Sequence, residues 1–116
     1  MTSFQRLTRL RNVMQNRNIQ AIIVPTDDAH ASEYVAACDG RRQFISGFSG
    51  SAGTAVVTTD KAALWTDGRY FVQANNELEL EHWILQKQGI MGTPSITQWL
   101  ADVLPKKSTV YSIVEK

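Results

Sequence analysis

Apolar residues recur along the chain with two periods, and the change of period divides it into helices and strands. The first apolar residues are spaced three or four positions apart with arginines between them, as on one face of a helix: Phe4, Leu7, Leu10 and Val13 or Met14. Ser3 precedes this run and suits an N-cap, so the pattern predicts an amphipathic helix that ends near Asn16.

Short apolar, β-branched runs follow the first helix and predict strands. Residues 21–24 are wholly apolar and are closed by Pro25, which indicates a strand buried on both faces. Residues 54–58 and 62–66 are two further apolar runs, and the polar break 59–61 between them predicts a β-hairpin. A helix that leads into a buried strand is typical of an α/β layered domain.

The remaining elements are predicted from shorter signals. Ser32 suits the cap of a short helical turn at 33–37, and residues 70–80 contain good helix formers. Residues 83–85 predict a second short buried strand, and 109–114 a last strand. Between them, a helix capped by Thr93 or Ser95 places four apolar residues on one face: Ile96, Trp99, Leu100 and Val103.

Composition limits the protein class. The 116 residues suffice for one domain, and the formal net charge of +1 gives no electrostatic case for nucleic acid binding. No apolar run approaches the ~20 residues that span a bilayer, which predicts no membrane segment. The single cysteine, Cys38, excludes an internal disulfide, so we predict a cytoplasmic protein.

Arg69 is the residue that the pattern singles out for contact with another molecule. The second hairpin strand ends at Asp67-Gly68, a turn dipeptide in which glycine can take the positive φ that other residues avoid. Arg69 follows at once, and a tight turn at a strand end fixes a side chain better than a flexible loop does. Asp67 could act as a catalytic acid, but a residue of this kind more often stabilises its own turn.

The glycine-rich loop at 47–53 admits two interpretations. Phosphate binding is the less favoured one, because the loop matches no G-x-x-x-x-G-K-[ST] pattern and leads into a strand instead of a helix. The structural interpretation has Gly50 and Gly53 allow close packing of the backbone while Phe48 fills the core.

Other residues with reactive side chains favour structural roles. His30 lies near Asp27, Asp28 and Glu33, but no paired histidine or C-x-x-C motif completes a metal site. Cys38 lacks an evident partner base and is interpreted as a small buried residue. The residues alone therefore predict an α/β domain with a loop-presented arginine and no self-sufficient active site.

Three motifs, at the spacing that they have in this chain, resemble a known family. They are D-A-H-A-S-E-Y at 28–34, C-D-G-R-R-Q-F-I-S-G-F-S-G-S-A-G-T-A at 38–55 and W-T-D-G-R-Y-F at 65–71. Together they resemble the N-terminal domain of cytosolic X-prolyl aminopeptidases (aminopeptidase P), members of the creatinase/prolidase superfamily. The resemblance implies an α/β fold with a ribonuclease H-like mixed sheet flanked by helices.

The resemblance also implies a function. Such enzymes are metallopeptidases that release the N-terminal residue from peptides with proline second, and two Mn²⁺ ions in a separate C-terminal domain activate the attacking water. No ligand of those ions is assigned here, so we expect no cofactor in this chain. The arginine of W-T-D-G-R-Y-F binds peptide in the family, and this role carries over to Arg69.

The end of the chain departs from the family pattern. We expect one domain over 1–116, atypical after about residue 107 and incomplete, with an uncovered sheet edge. The chain is then a non-catalytic part of an X-Pro aminopeptidase and inactive alone, meeting peptide substrate only in the full-length enzyme. The alternative is a stand-alone binding or regulatory module that associates with a full-length aminopeptidase, another partner or a second copy.

Overall fold

The helices lie on both faces of one five-stranded mixed sheet. The computed structural model describes residues 3–25, 42, 44–50 and 52–112. The helices with both ends in these ranges are α1 (Ser3–Asn16), α2 (Phe71–Glu77) and α3 (Ile96–Val103), and a 3₁₀ turn spans Gly68–Tyr70. Residues 42 and 44–46 are also helical. The strands are β1 (Ala21–Pro25), β2 (Thr54–Thr58), β3 (Ala62–Thr66), β4 (Ile84–Lys87) and β5 (Val110–Ser112). The predicted mixed sheet flanked by helices is therefore confirmed.

The strand order, β4-β3-β2-β1-β5, brings several strand ends together. The three central strands pair antiparallel, whereas β4 pairs parallel with β3, and β5 pairs parallel with β1. Pro25 lies opposite Thr54, and Thr54 lies opposite Trp65. The carboxyl ends of β1 and β3 thus share one end of the sheet with the glycine-rich loop that enters β2.

One face of the sheet packs against α1 and α2. Leu7 and Met14 of α1 and Ala74 of α2 are fully buried there. Alternate strand residues point to the same face, as the two-residue period of a strand requires: Ile22, Val24, Ala55, Val57, Ala62 and Leu64. Of the apolar positions predicted for the first helix, Leu7 and Met14 are buried and Leu10 packs partly buried against this core, whereas Phe4 is 47% exposed.

The opposite face is covered by α3. The intervening strand residues Val56, Ala63 and Trp65 form a second buried cluster with Trp99. The two indole rings meet edge to face, with centroids 5.4 Å apart and planes at 76°. Ser95 accepts a hydrogen bond from the backbone of Gln98 and completes a capping box, which confirms one of the two predicted caps.

Two predictions at the level of elements are wrong. The strand predicted at 83–85 begins at Ile84 and lies at an edge of the sheet, so Ile84 is 44% exposed and only the preceding Trp83 is buried. Helix α2 is shorter than the predicted 70–80, because Tyr70 belongs to the 3₁₀ turn and the backbone becomes extended at Leu78. The short helix predicted at 33–37 and the end of the last strand, at 113–114, lie outside the described residues.

Candidate functional site

The turn that carries Arg69 begins directly after β3. Asp67 is the N-cap of the 3₁₀ turn, and its carboxylate accepts a hydrogen bond from the backbone N–H of Arg69 at 3.0 Å. Asp67 therefore stabilises its own turn, as predicted. Gly68 does not use the positive φ that is open to glycine, because the turn keeps a right-handed backbone and needs no left-handed residue there.

The guanidinium of Arg69 forms a fork with the carboxylate of Asp67. Its Nε donates to Oδ1 at 3.0 Å, and its Nη2 donates to Oδ2 at 2.9 Å. The side-chain hydrogen bond between them is the main reason why the pKa of Asp67 is lowered and that of Arg69 is raised. Although paired, the side chain of Arg69 is 69% exposed, so its remaining N–H groups face solvent.

Aromatic packing fixes the base of this turn. The ring of Tyr70 meets that of Phe48 edge to face, with centroids 6.0 Å apart, and Phe48 is fully buried. The guanidinium of Arg69 lies 5.0 Å above the ring of Tyr70. Arg69 is thus tied to the core by its neighbour, while its own side chain stays at the surface.

The glycine-rich loop wraps around the ring of Phe48. A Cβ on Gly50 would lie 2.9 Å from the Cε1 and Cε2 atoms of that ring and closer still to its Cζ atom. A Cβ on Gly53 would lie 3.2 Å from the carbonyl oxygen of Trp65. These contacts support the structural interpretation of the loop over phosphate binding.

Arg42 is a buried support of the loop that the sequence did not indicate. Its side chain is 1% exposed, donates a hydrogen bond to the carbonyl oxygen of Gly50 and lies 4.9 Å from the ring centroid of Phe48. The sequence shows only two adjacent arginines at 41 and 42, and such a pair is most often solvent-exposed.

A second support, the Ser49–Gln73–Glu77 latch, joins the loop to α2 and was also missed. The carboxylate of Glu77 accepts hydrogen bonds from the backbone N–H of Ser49 at 2.8 Å and from the Ser49 hydroxyl at 3.0 Å. The side-chain amide of Gln73 donates to the Ser49 hydroxyl and to the Glu77 carboxylate. Burial opposes ionisation of Glu77, but these hydrogen bonds outweigh it and lower its pKa. Only the i, i+4 spacing of Gln73 and Glu77 was visible in the sequence.

A second cation lies near this end of the sheet. Thr66 ends β3 opposite Lys87 of β4, and the ammonium of Lys87 lies 5.7 Å from the ring centroid of Phe71. The surface beside the turn therefore combines cations with aromatic rings. Such a surface offers hydrogen-bond donors to carbonyl or carboxylate oxygens and apolar contact to the chain that carries them.

The structure gives no metal centre within its described ranges. There, no group of three or more His, Cys, Asp or Glu side chains is placed to hold a metal ion, so these residues do not fit a manganese pair. The candidates Asp27, Asp28, His30, Glu33 and Cys38 lie outside the described residues. In the same described ranges, no helix has the length and apolar character needed to cross a bilayer.

Comparison with known families gives a consistent match over almost the whole chain. The sequence model of the Creatinase/Prolidase N-terminal domain matches residues 6–113. A protein of Pyricularia oryzae named Probable Xaa-Pro aminopeptidase P is 58% identical over 110 residues, which are 95% of this chain and 18% of that relative. A relative of the same name from Colletotrichum graminicola is 58% identical over 97 residues, 84% of this chain and 16% of its own.

Solved structures agree with the sequence relatives. The X-prolyl aminopeptidase of Caenorhabditis elegans, described as a cytosolic enzyme with a di-nuclear active site, superimposes with a TM-score of 0.85 at 40% identity. That match covers 97% of this chain and 20% of the nematode enzyme. An N-terminal domain from a putative metallopeptidase of Corynebacterium diphtheriae has a TM-score of 0.58 at 18% identity, which shows the fold alone. The chain spans less than a fifth of the two fungal relatives.

Proposed function

The chain belongs to the creatinase/prolidase N-terminal domain family, and on that premise we propose that it is a non-catalytic domain of an X-Pro aminopeptidase in which Arg69 positions the peptide substrate. The observation that carries this proposal is the exposed guanidinium of Arg69 on a turn anchored to the core. An arginine held in this way has hydrogen-bond donors at a fixed position, which suits recognition of a peptide backbone.

The proposed division of labour leaves the chemistry to another part of the polypeptide. The described residues offer no ligand set for a manganese pair, and the nematode relative with a di-nuclear active site is about five times longer than the matching segment. We therefore place the two Mn²⁺ ions and the attacking water outside the described residues. The same relative is described as cytosolic, which supports a cytoplasmic location for this protein.

Substitution of Arg69 in an active enzyme tests the proposal. A chimera is made in which this chain replaces the matching 110-residue segment of the Pyricularia relative, and hydrolysis of an X-Pro-Pro peptide is measured. Because the lost hydrogen bonds act on substrate binding, R69A is expected to raise KM by about tenfold with a smaller change in kcat. R69K is expected to be intermediate, since it keeps the charge and loses the planar fork.

Arg17 provides the matched control for Arg69. It is also an exposed arginine, but it follows α1 near the start of β1, at the opposite end of the sheet. R17A is expected to leave both kinetic constants unchanged. If the R69A and R17A variants of the chimera have the same KM and kcat, the peptide-positioning role of Arg69 is contradicted.

The second candidate function is that of a stand-alone module that associates with a full-length aminopeptidase or with another copy. The observation that favours it is the outer edge of β5, where Val110 and Tyr111 are 42% and 55% exposed. An exposed sheet edge is a template for pairing with another chain. Adding the purified chain to full-length enzyme, and following activity and hydrodynamic size, tests this candidate; an unchanged size and rate would exclude it.

A further inference from the structure

We propose that Asp67 is a positioning residue that sets the specificity of Arg69, so that the pair recognises a neutral backbone carbonyl of the peptide in preference to a terminal carboxylate. This inference rests on the proposed function and adds a substrate class to it. Two features of Asp67 support the inference. Its carboxylate occupies one edge of the guanidinium, and its negative charge balances the positive charge of Arg69.

The fork with Asp67 leaves one edge of the guanidinium available. A guanidinium has five N–H groups, and Asp67 uses the Nε–H and one N–H of Nη2. Among the described residues, none accepts a hydrogen bond from Nη1. The end-on edge, formed by Nη1 and the second N–H of Nη2, therefore remains for an incoming acceptor.

Asp67 also fixes the direction of that edge. The same Oδ1 atom accepts both the backbone N–H and the Nε–H of Arg69, so one carboxylate holds the main chain and the side chain together. The guanidinium also rests over the ring of Tyr70 at 5.0 Å. These contacts on its side edge and on one face hold the side chain in one rotamer. Its remaining donors therefore lose little conformational entropy when they bind an acceptor.

The charge of Asp67 decides which acceptor is favoured. The Asp67–Arg69 pair has a net charge of zero, so a second carboxylate on the end-on edge is attracted by Arg69 and repelled by Asp67 at slightly longer range. A neutral carbonyl is not subject to that repulsion and still accepts the hydrogen bonds. Lys87 lies against Phe71 and is another cation at this end of the sheet, outside the fork.

Removal of the charge with retention of the cap tests this inference. In the chimera described above, KM is compared for an X-Pro-Pro peptide with a free carboxylate and for the same peptide with a C-terminal amide. D67N keeps an oxygen that caps the turn but removes the negative charge. D67N is expected to lower KM for the carboxylate peptide, relative to KM for the amide peptide, by about three- to tenfold. This decrease in relative KM should become smaller as salt is added.

Further variants separate charge from structure. D67S is a second uncharged residue that suits an N-cap and is expected to reproduce D67N if the asparagine variant folds poorly. The double variant D67N/R69A is expected to lose the preference for carboxylate. Asp60, in the β2–β3 turn at the opposite end of the sheet, provides the control, and D60N is expected to leave the KM ratio unchanged.

The possible outcomes distinguish this inference from the function on which it rests. If R69A leaves KM unchanged, the peptide-positioning function fails, and the role of Asp67 fails with it. If R69A raises KM but D67N leaves the ratio of the KM values for the two peptides unchanged, the peptide-positioning function of Arg69 stands. The proposed effect of the Asp67 charge on specificity is then overturned. An equal rise of KM for both peptides in D67N would make Asp67 a structural residue of the turn only.

Discussion

At the residue scale, single atoms decide how the glycine-rich loop packs. Phe48 was predicted from the sequence as a core residue and Arg69 as a residue on a rigid turn, because both predictions depend on residue type and local spacing. The burial of Arg42 and the right-handed backbone of Gly68 were not predicted. Burial of an arginine depends on a carbonyl and an aromatic ring that meet it only in the folded loop.

Replacement of Gly50 by alanine is expected to destabilise the fold by about 2 kcal/mol, since the new Cβ would overlap the buried ring of Phe48. The midpoint and slope of urea unfolding measure this loss in the isolated chain. Gly68 is the matched control: its nearest neighbour for a Cβ is 3.9 Å away and its φ is not positive, so G68A is expected to change stability by less than about 0.5 kcal/mol. Equal stability of the two variants would contradict this account of the loop.

At the scale of elements, the predictions succeeded where periodicity is strong and failed where neighbours decide. Helix α1, the β2–β3 hairpin and α3 were predicted because each has a clear period and turn signals at its ends. The position of β4 at the sheet edge depends on its pairing with β3, for which a four-residue strand carries no local signal. The Ser49–Gln73–Glu77 latch likewise joins residues 28 positions apart.

The Ser49–Gln73–Glu77 latch is expected to weaken in acid. Because the folded-state pKa of Glu77 lies below its ordinary value of 4.5, ionised Glu77 stabilises the fold above that pH, and the stabilisation is lost as pH falls through the folded-state pKa. Glu77 is solvent-exposed, so the effect is expected to stay below about 1 kcal/mol. The E77Q variant should therefore be less stable than the parent chain at pH 7, and this difference should be smaller near pH 3.

Urea unfolding at both pH values measures the contribution of the charge on Glu77. Glu81, an exposed carboxylate after α2, provides the control, and E81Q is expected to match the parent chain at both pH values. A stability difference for E77Q that is the same at both pH values would mean that the charge of Glu77 has no part in the latch.

At the scale of the whole molecule, the family was predictable from three motifs, and the fold followed from the family. The motifs extend over residues 28–71, and the family model matches 6–113. A role for Arg69 in substrate binding stays a prediction, because the metal ions that it would serve are, in our proposal, outside the described residues. What the sequence alone could not give is the pairing of Arg69 with Asp67, which changes the charge that the site presents.

The purified chain is expected to show no turnover of an X-Pro-Pro peptide in the presence of Mn²⁺, because we place the metal ions in another part of the polypeptide. Release of the N-terminal residue, followed by mass spectrometry, measures this activity, and the chimera provides the positive control under the same conditions. Hydrolysis that persists after repeated purification of the chain, and disappears with a chelator, would contradict this division of labour.

The pairing of β1 with β5 has a consequence for synthesis on the ribosome. Gln20, just before β1, exchanges hydrogen bonds with Thr109, 89 positions later. A nascent chain can form the β2–β3 hairpin early, but one side of its central β1 strand stays open until residue 110 has left the exit tunnel. During that interval β1 exposes unpaired N–H and C=O groups beside apolar side chains, so protection by a chaperone should matter most before β5 emerges.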